Sequence, residues 1–172
     1  MAGEQETLKK LIEVYSGRLK FLKEFRNLTG KISDEIESKG EEAIDIIAEL
    51  TENRESILDK IKEADASARR CESALGGNYK KMMEEIKSAA KNKAQPAFKQ
   101  DWAVYLFKNF TEYDSLVKII TEADKRNAEA IKAVMENLKI KMNAVKENKK
   151  MMDKFSDGFD KPSVGTLMNE KK

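Results

Sequence analysis

The chain has 172 residues, 37% charged and 40% hydrophobic, with eight glycines and two prolines. That length supports one domain, or one plus a tail, and the charged, glycine-poor composition is that of a long-helix protein. The absence of histidine removes the commonest general base and the commonest transition-metal ligand.

Net charge is +2. Residues 1–75 hold 13 Lys and Arg against 17 Asp and Glu, a net −4; residues 76–172 hold 20 against 14, a net +6. Lys is intermixed with Glu and Asp in the basic half, so this reads as a solvated helix face rather than a nucleic-acid site. Cys71 is the only cysteine, which removes any internal disulfide and favours a reducing compartment. Its place on the Ala68–Leu75 stripe makes it core filler. The N-terminus lacks a signal-peptide pattern, and no apolar run reaches the ~20 residues that cross a bilayer. The expectation is a cytoplasmic protein with no integral membrane segment.

The first helix is expected over about 4–38, with an apolar stripe of Leu8, Ile12, Tyr15, Leu19 and Leu22 that shifts to Phe25, Leu28, Ile32 and Ile36. Gly40 ends it, since glycine suits a left-handed position after a helix. The second spans about 41–74, with Ile44, Ile47, Leu50, Ile57, Leu58, Ile61, Ala64, Ala68, Cys71 and Leu75 on its stripe. The short connection at Gly40 makes these two antiparallel neighbours. Gly76 and Gly77 stop the second helix; no Lys-Ser or Lys-Thr follows, so they form no phosphate loop. A short helix over about 78–93 carries Tyr79, Met82, Met83 and Ile86, and Pro96 breaks it.

The third long helix runs from about 102 to 155. From Tyr113, steps of four and three residues meet Val117, Ile120, Asp124, Asn127, Ile131, Val134, Leu138, Lys141, Val145, Asn148, Met152 and Phe155. That spacing is the seam of a helix packed lengthwise on other helices. At ~1.5 Å per residue it extends on the order of 75 Å. Asp124 and Asn127 read either as register devices or as seam positions facing water, and Lys141 and Asn148 as the latter. Residues 157–172, with Gly158, Pro162 and Gly165, read as a flexible C-terminal tail. The expected fold is all-α: an elongated antiparallel three-helix bundle or coiled coil with a long C-terminal helix, filling residues 1–156.

A helix of that length outlasts partners of about 35 residues. Val134, Leu138, Met142, Val145, Met151, Met152 and Phe155 therefore form a candidate partner-binding stripe, rich in adaptable methionine. The competing expectation is that Tyr79, Met82, Met83 and Ile86 fold back and cover it. Adjacent carboxylates such as Glu84 and Glu85 diverge by about 100° on a helix. No catalytic, cofactor-binding or metal-binding residue is assigned, and a non-enzyme is expected.

The segment from Leu8 to Ile61, with Leu50, Glu52, Arg54, Glu55, Ile57 and Leu58 near the middle of its second helix, resembles the first two helices of the FlgN-like flagellar export chaperones. The stretch "ADKRNAEAIKAVMENL" around Asn127 and the tail "VGTLMNEKK" are similar to the family's third helix and C-terminus. The chain departs from the family in the aromatic run Phe98, Trp102, Tyr105, Phe107 and Phe110, and in Met168. The resemblance implies a cytosolic chaperone without cofactors. It would bind the C-terminal helices of hook-associated junction proteins, prevent premature assembly and deliver them to the flagellar export gate. A structural coiled-coil homodimer is the alternative, and an anionic-surface binder using Lys139, Lys141, Lys146, Lys149, Lys150 and Lys154 is a third.

Overall fold

The computed structural model describes the backbone of residues 2–94 and 98–159 and the side chains of 3–94 and 98–154. Within these it is all-α, without a strand. Helix α1 covers Ala2–Lys39, a 3-10 turn covers Gly40–Ala43, α2 covers Ile44–Ala74, α3 covers Gly77–Asn92 and α4 covers Asp101–Phe159. The helices thus match the expected segments with small shifts. The 3-10 turn takes the first residues expected of α2. Helix α4 continues to Phe159, into what reads as tail; residues 160–172 lie outside the described residues.

Two stops have clear local causes. Gly40 takes φ +55°, the left-handed region that costs side-chain-bearing residues about 1 kcal/mol or more. Helix α3 ends earlier than Pro96 requires. Lys93 adopts φ 53°, its N–H donates to the Ala90 carbonyl at 3.2 Å, and the Ala94 N–H donates to the Ala89 carbonyl at 3.1 Å. This pair of bonds is a Schellman closure with lysine where glycine is usual. The break expected at Gln95-Pro96 lies outside the described residues.

The chain divides into two compact units, Met1–Ile131 and Lys132–Lys172. In the first, apolar side chains gather in three clusters. One joins Leu8, Leu11 and Tyr15 of α1, Ala68 and Cys71 of α2, Met83, Ile86 and Ala90 of α3, and Ala103, Leu106 and Phe110 of α4. The aromatic run serves here: Phe98, Trp102 and Phe107 pack against it, while Tyr105 is exposed. The second cluster joins Leu19, Leu22, Ile57, Ile61, Leu116 and Ile120. The third joins Ile32, Ile36, Ala43 and Ile47, with Ala130 and Ile131 against it. Leu11, absent from the expected stripe, is fully buried, whereas Leu58 and Val117 are exposed.

Paired residues give the helix directions. Arg18 meets Asp65 and Tyr15 meets Glu72, so α1 and α2 are antiparallel. The Asn109 side chain reaches Tyr15 and the Asn127 side chain reaches Thr29, so α1 and α4 run the same way. Helix α2 therefore runs opposite to both α1 and the part of α4 in the first unit.

Polar groups interrupt the apolar clusters at two levels. Asn127 Nδ2 donates to the Thr29 carbonyl at 3.1 Å, and Ser33 Oγ donates to Asn127 Oδ1 at 2.7 Å. Nearby in sequence, Arg54 Nη2 pairs with Asp124 Oδ2 at 2.7 Å, its guanidinium 4.3 Å from the Phe25 ring centroid. Nearer the α1 N-terminus, Arg18 Nη1 pairs with Asp65 Oδ1 at 2.8 Å and lies over Tyr113 at 3.9 Å. Both seam polars expected as register devices or water-facing positions, Asp124 and Asn127, are partnered across helices; Lys141 and Asn148 are exposed.

Candidate helix-docking surface

Helix α4 carries every residue of the candidate stripe, and among the described residues Ile131 is the last of the helix against an apolar cluster. Beyond it, Val134 and Leu138 are half-buried. Met142, Val145 and Met152 are exposed at 57%, 67% and 72%. Met135, Ile140 and Met151 are exposed as well. Side chains of this type facing water carry an unfavourable hydration free energy that a covering partner relieves.

At about 100° per residue, Val134, Leu138, Met142, Val145 and Met152 fall within an arc of about 80°, with Met135 at its edge. Met151 does not join them. It lies about 100° outside the arc, on the side of Ile140, so the stripe loses one of its expected members to helix geometry. Phe155 is on the α4 backbone, and its side chain lies outside the described residues. Lys149 falls inside the arc, where its aliphatic stem can cover apolar surface while the ammonium reaches water.

The side chains expected as a cover take part in the first unit. Met83 and Ile86 are buried in the cluster with Leu11 and Leu106, and Tyr79 and Met82 pack against it. Tyr79 meets the Trp102 ring with centroids 5.8 Å apart. These side chains serve the core of the first unit.

The first unit also holds an arrangement that the linear sequence does not announce. A cleft of about 600 Å³ is lined by Tyr15, Arg18, Asp65, Glu72, Lys87 and Tyr113, among others. The Tyr15 hydroxyl donates a short bond to Glu72 Oε1, which also takes the Lys87 ammonium at 2.6 Å. Burial, then the Glu72 carboxylate, pushes the Tyr15 phenol well above its ordinary range; Arg18 opposes this. Burial raises Tyr113 in the same way, again opposed by Arg18. A phenol held this firmly in its neutral form is a poor general base. The cleft holds its charges as ion pairs, Arg18 with Asp65 and Lys87 with Glu72. Among the described residues, no group of three or more His, Cys, Asp or Glu side chains could hold a metal ion. No described helix is long and apolar enough to cross a membrane.

No protein-family model, no curated protein and no solved structure matches the chain.

Proposed function

We propose that the chain is a cytosolic chaperone of the flagellar type III export system. It holds the C-terminal helices of hook-associated junction proteins, keeps them from assembling early and delivers them to the export gate. The observation that carries this reading is the row Val134, Leu138, Met142, Val145 and Met152 on one arc of α4, water-exposed from Met142 onward. An amphipathic client helix fits such a row by laying its own apolar face along it. Methionine adapts to clients of differing shape, which suits a protein serving more than one junction protein. The FlgN-like resemblance of the first two helices and of the stretch around Asn127 supports the same reading. Within it, α1, α2 and the part of α4 in the first unit act as a three-helix bundle, with α2 antiparallel to the other two.

Co-purification with the C-terminal peptide of a junction protein tests the proposal. A chain ending before Leu138 keeps the three apolar clusters, stays helical by circular dichroism and loses the peptide. Full affinity in that truncated chain would overturn the proposal. A client-free dimer in sedimentation that dissociates on the same truncation would assign the row to self-association instead.

A further inference from the structure

Resting on the reading of α4 as a helix-docking face, we propose that its preferred occupant is an amphipathic helix carrying acidic residues along one flank only. The basis is a lysine row beside the apolar arc. Lys132, Lys139 and Lys146 recur every seventh residue, and all three are exposed. A seven-residue recurrence keeps them on one side of the helix, about 20–60° past the Met135 edge of the arc. Lys150 lies on the same side and is also exposed. In paired helices, residues in these flanking positions meet the partner's flank and set partner choice and orientation.

The opposite border of the arc is different. Asn137, Lys141, Ala144 and Asn148 lie there, without an acid. This decides against a second copy of the chain. Antiparallel self-pairing would set the lysine row against itself. Parallel self-pairing would set it against the border that has no carboxylate. Over 132–154 there are seven lysines and three acids, Glu136, Glu147 and Asp153, so the whole segment repels its own kind. A lipid surface fits less well than a helix. The segment has no Trp, Tyr or Phe among its described side chains to anchor at a bilayer interface, and acids interleave with its lysines. Its apolar arc is about as narrow as a helix-pairing seam.

The test uses the full chain and three designed 28-residue helical peptides that share a leucine seam. Their flank positions carry Glu, Gln or Lys. Fluorescence anisotropy should rank affinity as Glu above Gln above Lys, with roughly tenfold between the first two at low salt. About 0.5 M salt should shrink that gap. The Lys132→Glu/Lys139→Glu/Lys146→Glu variant, checked for unchanged helicity, should reverse the order. Equal binding of all three peptides leaves the docking face standing and overturns the acidic-flank inference. Binding of none overturns both. Binding to phosphatidylserine vesicles together with no peptide preference assigns the lysines to lipid and also overturns it.

Discussion

Asn127 Nδ2 donates to the backbone carbonyl of Thr29 at 3.1 Å, and both residues are buried. The two residues are ninety-eight positions apart in sequence, so the bond fixes α4 against α1 at one register. The Ser33 hydroxyl closes the group by donating to Asn127 Oδ1 at 2.7 Å.

Replacing Asn127 by Ala should destabilise the first unit by about 1–3 kcal/mol, because the buried bond to the Thr29 carbonyl is lost and the half-buried Ser33 hydroxyl loses its cross-helix acceptor. Asn127→Leu should cost less, since an apolar side chain of similar size fills the space. It should also loosen register, seen as broadened side-chain resonances. Urea denaturation read by circular dichroism measures the first effect, and NMR line widths the second.

Arg54 is the more buried partner of its pair with Asp124, whose side chain is 38% exposed. Asp124→Ala should therefore cost about 1 kcal/mol, a figure reduced for screening of the exposed carboxylate. The loss exceeds that of an ordinary surface pair because the half-buried Arg54, over the Phe25 ring, is left without its counter-charge. The double variant Arg54→Met/Asp124→Ala should recover part of the stability. A double-mutant cycle in urea checks the coupling.

Tyr15 sets an alkaline limit. Its phenol is raised in the folded chain by burial and by Glu72, whereas an unfolded tyrosine titrates at about 10. Below that pH both states keep the proton, and the contribution to stability is complete. As pH climbs above about 10 the unfolded chain ionises first, so stability falls with rising pH. Tyr15→Phe should flatten this decline, measured as denaturation midpoints between pH 9 and pH 11.5, about the range a tyrosine titration covers. Phenolate absorbance should show Tyr15 ionising only with unfolding.

The two left-handed positions should respond oppositely. Gly40→Ala places a side chain at φ +55° and should cost about 1 kcal/mol. Lys93→Gly relieves the same conformation at φ 53° and should gain up to about 1 kcal/mol, less the added freedom of glycine in the unfolded chain. Thermal midpoints of the two variants check the signs.

On the docking arc, Met142→Lys/Val145→Lys should leave the stability within about 0.5 kcal/mol of the parent, because both residues already face water. Peptide affinity should fall at least tenfold, since two ammonium groups would sit in the seam. Met151→Lys should change affinity little, being outside the arc. Anisotropy titration of the two variants and the parent separates them.

Helix identity was largely readable along the chain because apolar residues recur at 3–4 spacing and glycines stand where helices stop. Helix α3 shows the limit. Pro96 predicts its end, yet Lys93 closes it first through two carbonyl bonds that no residue type announces. The polar cleft was hidden more completely. Arg18, Asp65, Glu72 and Lys87 each look like ordinary surface charges on amphipathic helices. They become a paired cluster only where α1, α2 and α3 meet.

Ile120 and Val145 show where local pattern stops and packing takes over. Both are β-branched, both stand in the same α4 seam, and spacing alone treats them alike. Ile120 packs with Leu19, Leu22 and Ile61 and is 7% exposed; Val145 is 67% exposed. Side-chain spacing determines which face of a helix is apolar, because that depends only on turns of the same backbone. Whether a neighbour covers that face depends on where distant segments lie, and that is decided by the folded chain.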